Sequence, residues 1–118
     1  MNTKIKLTYE GQEYVLEFDR MTIKMLENIG FNYEQFMDKP MTNVELAFTG
    51  AFIKNHPKTK QDVIGAIYEA CPDKGALIAT LSTMINECYE ALLSDGDSKK
   101  VTWETEDLSP KTSEKSQG

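Results

Sequence analysis

Few residues in this sequence have the type and spacing that chemistry requires. His56 is the only histidine, and it precedes Pro57 in a polar stretch. A general base needs an orienting partner and a pocket, and nothing near His56 predicts either, so we interpret it as a surface-loop residue. Cys71 and Cys88 fall on separate predicted helices, whereas structural zinc takes four ligands in closely spaced pairs. The sequence therefore predicts no metal site.

Motifs for other chemistry are also missing from the sequence. Gly65 and Gly75 are isolated and do not lie between a strand and a helix start, so they do not form a phosphate-binding loop. No nucleophile elbow is present. The remaining carboxylates are scattered, and we interpret them as the solvated faces of helices: Glu27, Glu34, Asp38, Glu87 and Glu90. We predict no catalytic residue and no cofactor, and hence a protein that is not an enzyme.

The composition of the chain limits the classes of partner that it is suited to bind. The chain has 118 residues, of which 40% are hydrophobic and 27% charged, with a formal net charge of −6. An acidic chain is poorly suited to bind nucleic acid or anionic membranes, because both require clustered Lys and Arg. No apolar run has the length of a membrane span, and the N-terminus lacks a signal-peptide pattern. We therefore expect a cytoplasmic protein with two reduced, core-packed cysteines.

The N-terminal stretch KIKLTYEGQEYVLEFD predicts a β-hairpin over residues 3–18. Its residues alternate between apolar and charged types, and Gly11 provides the positive φ of a tight turn. Exposed strand edges can pair with another chain, so the hairpin is a candidate surface for self-association or partner binding. A hairpin sealed by its own helices is the alternative. The apolar candidates are Ile5, Leu7, Tyr9, Tyr14, Leu16 and Phe18.

Helical periodicity begins after the hairpin. The pattern predicts an α+β fold, with the N-terminal β-hairpin followed by a bundle of about five helices that must cover its apolar face. We expect one domain over residues 1–94 and a flexible, polar C-terminal tail over 95–118. The predicted helices span about 20–29, 33–39, 43–55, 60–71 and 74–93.

Local signals place the ends of these helices. Asp19, Asn32 and Asp73 are predicted N-caps, and Gly30 is a predicted helix stop. Thr42, with a glutamate three residues later, predicts a capping box.

Two further features bear on binding. Trp103 stands in the acidic tail with Val101 and Leu108, and we expect either a solvated end or an interaction arm that folds on binding. Five methionines could line an adaptable binding surface, although core filling is the interpretation we prefer. They are Met21, Met25, Met37, Met41 and Met84.

The stretch LTYEGQEYVLEFDRMTIKMLENIGF, residues 7–31, resembles the opening of the tail assembly chaperones of long-tailed bacteriophages that infect Gram-positive hosts. The likeness consists of the hairpin with its central glycine, the EFDR run that leads directly into a helix, and the GF that ends this helix. It extends more loosely to about Leu93.

This resemblance implies a chaperone in the host cell cytoplasm that is absent from the mature virion. Such proteins coat the tape-measure protein, keep it soluble, self-associate as homo-oligomers and help tail-tube subunits to gather. The family carries no catalytic residues, so what transfers is a scaffold or self-association role for residues 7–18 and 19–30. The alternatives are a minor tail or head–tail connector protein of the particle and a small phage-encoded regulatory module.

Overall fold

A hairpin packed on a helical bundle forms the ordered architecture of the chain. The structure, a computed structural model, describes residues 2–97 and 99–107. Within these residues it contains an antiparallel two-stranded sheet followed by four α-helices, which confirms the α+β class. The strands are β1 (Ile5–Tyr9) and β2 (Gln12–Leu16); the helices are α1 (Arg20–Asn28), α2 (Pro40–Gly50), α3 (Gln61–Ala70) and α4 (Lys74–Leu92).

The hairpin closes through a two-residue turn. Glu10 and Gly11 both have positive φ, at 50° and 82°, and Tyr9 pairs with Gln12. Such a pair of angles defines the type I′ turn, whose twist matches that of the two strands. In this register Lys6 faces Val15. The backbone groups of Lys6 and Val15 therefore point away from the partner strand, toward the two edges of the sheet.

Predicted caps fix the ends of α1. The Asp19 side chain accepts a hydrogen bond from the Thr22 backbone N–H, as expected of an N-cap. At the other end Gly30 has a φ of 110°, and Phe31 N–H donates to the Leu26 carbonyl at 2.9 Å. This is a Schellman-type termination, in which glycine adopts the left-handed conformation at no steric cost. Both predictions are confirmed.

The count of about five helices is wrong for the part of the chain that the structure describes. The segment predicted as a helix over 33–39 contains only a 3₁₀ turn, Tyr33–Gln35, which Asn32 caps as expected. The capping box at Thr42 is also wrong, because α2 begins earlier. Its N-cap is Lys39, which makes no side-chain cap, and the fixed φ of Pro40 starts the first turn instead.

The hairpin and the last three helices share a core. Tyr14 and Leu16 are buried together with Phe52, Ile67 and Leu81. Ile5, Leu7 and Tyr9 pack at the margin of this cluster. The helices thus cover the apolar face of the hairpin, as predicted. A neighbouring cluster joins α1, α2 and α4, and it includes Ile23, Leu26, Phe31, Phe36, Val44, Ala47 and Ile85.

The close contact between α1 and α2 requires a glycine at position 50, at the end of α2. A Cβ atom added to Gly50 would lie 2.6 Å from Cδ1 and 2.8 Å from Cδ2 of Leu26. Leu26 is fully buried and cannot swing away without disturbing the core. Glycine at the end of α2 therefore sets how closely α1 can approach.

We predict that Gly50→Ala destabilises the protein by about 1–3 kcal/mol, because the added methyl overpacks Leu26. Urea unfolding followed by circular dichroism measures the change. Gly65→Ala is the matched control: Gly65 lies within α3 with no other atom within 4 Å of an added Cβ. It should stabilise by about 0.5–1 kcal/mol through helix propensity. Equal stability of Gly50→Ala and the natural chain would contradict the packing argument.

Candidate interaction surfaces

The outer edge of β2 is closed by the end of α2 and the loop that follows it. Val15 N–H donates to Nε2 of His56 at 2.9 Å, and the Val15 carbonyl accepts from Nδ2 of Asn55 at 3.1 Å. Beyond the strand, Glu17 N–H donates to the Ala51 carbonyl at 3.1 Å. The outward backbone groups of Val15 and the N–H of Glu17 thus have partners within the same chain, which obstructs pairing of another strand along this half of the edge.

His56 is part of that seal, so its interpretation as a surface-loop residue is wrong. The side chain is half-buried and packs edge-on against Tyr14 and Phe52, with ring centroids 5.2 and 6.5 Å away. Nε2 accepts the hydrogen bond of Val15, which requires that this ring nitrogen carries no proton. The local sequence contains no signal for this, since the partners lie about 40 residues away in the chain.

A carboxylate lies next to this seal. Oε1 of Glu17 accepts from Nδ2 of Asn55 at 2.8 Å, and Oε2 lies 3.2 Å from Nζ of Lys54. Nζ of Lys4, the residue directly before β1, is 3.9 Å from Oε1. The hydrogen bond from Asn55 chiefly lowers the pKa of Glu17, and Lys54 and Lys4 add to this against the opposing effect of burial. Glu17 therefore stays ionised and ties the hairpin to the end of α2.

The edge of β1 is open. Lys6 and Thr8 direct their backbone groups away from β2, and among residues 2–97 and 99–107 no hydrogen bond from outside the hairpin reaches them. Only the start of the strand is held, where the backbone N–H and hydroxyl of Thr3 donate to the two carboxylate oxygens of Glu87 at 2.8 and 2.7 Å. We call the outward backbone of β1 the open edge.

Two carboxylates interpreted as solvated have structural partners instead. Glu87 holds Thr3, and these hydrogen bonds lower its pKa. Glu27 accepts a hydrogen bond from the Tyr89 hydroxyl, while burial and this carboxylate raise the pKa of Tyr89. The two contacts attach α4 to β1 and α1 respectively.

The residues that the sequence predicted as a partner-binding surface differ in how deeply they are buried. Tyr14 and Leu16 lie in the core, so neither side chain offers surface to a partner while the domain is folded. The half-buried side chains are those of Ile5, Leu7, Tyr9 and Phe18. Trp103 is 84% exposed. Leu108 lies outside the described residues. A partner can therefore reach the hairpin through the open edge and its half-buried margin.

An apolar stripe covers the outer side of α1. Met21, Met25 and Ile29 are spaced four residues apart, and their exposed fractions are 67%, 44% and 65%. Residues at this spacing share one helix face. The opposite face, with Ile23 and Leu26, is buried in the core. We call Met21, Met25 and Ile29 the α1 stripe.

Core filling is the wrong interpretation for most methionines. Besides the α1 stripe, Met37 and Met41 are exposed, and of the five only Met84 is buried. Met41 stands at the rim of an apolar groove of about 550 Å³ between α2 and α3. The floor of the groove contains Val44, Phe48, Ile64, Tyr68 and Ile78.

Within residues 2–97 and 99–107, the thiols and carboxylates do not gather into a catalytic or metal-binding group. Cys71 and Cys88 are free thiols, and burial raises the pKa of each, which leaves them protonated and unreactive near neutral pH. In the described part of the chain, no three His, Cys, Asp or Glu residues are grouped so as to hold a metal ion. The same residues contain no helix with the length and apolar character needed to cross a membrane.

These features define a small α+β domain with one sealed and one open strand edge and an apolar stripe on its first helix. A protein-family profile described as "Domain of unknown function (DUF5055)" matches residues 1–107, and the chain belongs to this family. No curated protein and no solved structure matches the chain. The family match runs beyond the predicted domain limit at residue 94 and includes Trp103.

We predict that His56→Ala destabilises the protein by about 1–3 kcal/mol, because Val15 N–H loses its acceptor and two aromatic contacts are lost. Amide hydrogen exchange of Val15 should accelerate more than that of its neighbours. Lys58→Ala, at an exposed position of the same loop, should change stability by less than about 0.5 kcal/mol. Unchanged exchange at Val15 would show that His56 does not seal the edge.

The lowered pKa of Glu17 predicts a pH dependence. A carboxyl whose pKa is lower in the folded state stabilises the protein above its unfolded value, near 4.5, and this contribution is lost as pH falls through the folded pKa. Glu17→Gln should therefore lower the free energy of unfolding by about 1 kcal/mol at pH 7, and the difference from the natural chain should vanish in acid. Glu13→Gln, at an exposed position of β2, is the control. A difference that persists at low pH would contradict this role for the ionised carboxylate.

Proposed function

We propose that this protein is a phage tail assembly chaperone, which binds and solubilises the tape-measure protein in the host cytoplasm and self-associates while the tail is built. It acts by binding alone, without a cofactor, contacts assembling tail-tube subunits, and is absent from the mature virion. The observation that carries the proposal is the α1 stripe. It lies within residues 7–31, the stretch that resembles this class of chaperone.

The α1 stripe has the form of a surface for a helical client. An α-helix with apolar residues on both faces is normally buried on both. Here α1 buries one face against α2 and α4 and leaves the other open within the described chain. A tape-measure protein, long and helical before the tube encloses it, presents apolar helix faces of the complementary kind.

Methionine suits such a client. Its unbranched side chain adapts to different apolar surfaces, so one stripe can bind many segments of a long partner. Repeated weak contacts from an oligomer would then hold the client through effective concentration.

Co-expression tests the proposal. A tape-measure protein from the same genome, produced with the full-length chain, should move from the pellet to the soluble fraction and co-purify. Replacing Met21 and Met25 together by Glu should abolish both effects, because buried carboxylates in an apolar contact are costly. Circular dichroism should show an unchanged fold, since both side chains are exposed.

The control is the pair Met37→Glu and Met41→Glu, which adds the same charge at exposed methionines outside α1. These variants should keep the client soluble. If they abolish rescue while the α1 variants do not, the client binds elsewhere. Detection of the protein in purified particles by mass spectrometry would favour a minor tail or connector protein, and capture of a host protein alone would favour a regulatory module.

A further inference from the structure

The open edge of β1 selects its partner by charge. Lys6 in β1 and Lys4, which directly precedes the strand, are both exposed and lie two residues apart on the solvent face of the hairpin. If β1 paired antiparallel with β1 of a second copy, centred on Lys6, each Lys6 would face another Lys6. Like charges directly opposite are destabilising, and edge lysines commonly protect against such pairing. A strand that carries carboxylates at alternate positions would instead be attracted.

Such a strand exists in the same chain. In residues 101–107, which we call the tail segment, Val101, Trp103 and Thr105 alternate with Thr102, Glu104 and Glu106. Period-two alternation of β-branched and aromatic residues with polar ones is the pattern of a half-buried strand. In the structure the tail segment is exposed throughout and belongs to no helix or strand. The family match ends at residue 107 and so includes it.

The two patterns fit in an antiparallel register. With Glu104 opposite Lys6, Glu106 lies opposite Lys4, so that both carboxylates face lysines on the solvent side. Lys4 already lies near Glu17 and would gain a second carboxylate.

The apolar side fits in the same register. Trp103 falls opposite Leu7, and Val101 falls opposite Tyr9, at the half-buried margin of the core. Leu7 and Tyr9 are incompletely covered because β1 has no neighbour on that side. A third strand would bury Trp103 and complete this margin, giving the contacts that stabilise sheets.

We propose that the tail segment of one copy adds as a third strand to the open edge of β1 in a second copy. This inference specifies the self-association named in the proposed function and rests on it. We assign the segment to another copy because, within the described part of a single chain, it is exposed throughout and pairs with no strand.

The exchange determines how copies assemble. If each copy of a pair gives its tail segment to the other, a closed dimer forms. If each copy gives to one neighbour and receives from another, the contact is heterologous and extends to a ring or a chain. Both forms use the same strand pairing, and both leave the α1 stripe available for a client.

Trp103 provides a direct readout, since it is the only tryptophan. We expect the emission of the full-length protein at high concentration to be blue-shifted and protected from acrylamide. Dilution should shift it to the spectrum of an exposed indole, in step with the loss of mass seen by sedimentation. Three results would overturn the proposal: an exposed tryptophan in an oligomer, a buried tryptophan in a monomer, or a monomer at every concentration.

Charge reversal tests the pairing itself. Lys6→Glu and Glu104→Lys should each raise the dissociation constant about fivefold at low salt, because each replaces an attraction by a repulsion. An equimolar mixture of the two variants should restore association, since each edge then meets a tail segment of opposite charge. Pairing within one chain cannot be rescued by mixing, so failure of the mixture would overturn exchange between copies.

Lys58→Glu and Glu34→Lys are the matched controls, at exposed positions away from both elements. They should leave the dissociation constant unchanged. The experiment contains no client protein. A negative result would therefore remove strand exchange and leave binding through the α1 stripe standing, while failure of the co-expression test would leave this measurement unaffected.

Discussion

A two-stranded hairpin cannot stand alone in water, and the rest of this structure follows from that constraint. Leu16 is fully buried because α2, α3 and α4 lie over the apolar face of the hairpin. Asn55 and His56 supply side-chain partners for the outer edge of β2. Glu87 holds the start of β1 through Thr3. The bundle therefore provides the contacts that keep the hairpin folded.

The helices and loops support the β2 side of the hairpin more fully than the β1 side, so the two strand edges differ. The segment that follows α2 seals the C-terminal half of the β2 edge with hydrogen bonds, whereas in the described part of the chain β1 keeps unpaired outward backbone and a half-covered apolar margin. Lysines on β1 disfavour pairing of identical strands without preventing pairing with an acidic one. The charges on this edge would thus discriminate between partner strands, as the proposed exchange of tail segments requires.

Helix α1 has different surroundings on its two faces. Its inner face fits closely against α2, where Gly50 leaves room for Leu26. Its outer face carries the α1 stripe, which makes no contribution to the core. Because the two faces are independent, the proposed binding of a client on the outer one would require no rearrangement of the fold. The open edge lies on a different element, so client binding and self-association would not compete for the same residues.

Local signals in the sequence determined much of the architecture. Alternation set the hairpin and its turn, and the caps at Asp19, Gly30 and Asp73 set helix ends because each depends on residues within one turn. The errors lay where a local pattern competes with a neighbour: Pro40 started α2 ahead of the Thr42 capping box, and the 33–39 segment reached only one 3₁₀ turn.

Tertiary structure determined which side chains and strand edges are exposed. Periodicity showed that methionines lie on helices, but which face of α1 meets α2 and α4 depends on packing, so four of five proved exposed. His56 gained its role only when the loop after α2 was placed beside Val15, about 40 residues away. The sequence alone defined a hairpin with two edges. Long-range packing closed one of them and left the other open, because burial and hydrogen bonding between distant segments cannot be read from neighbours in the chain.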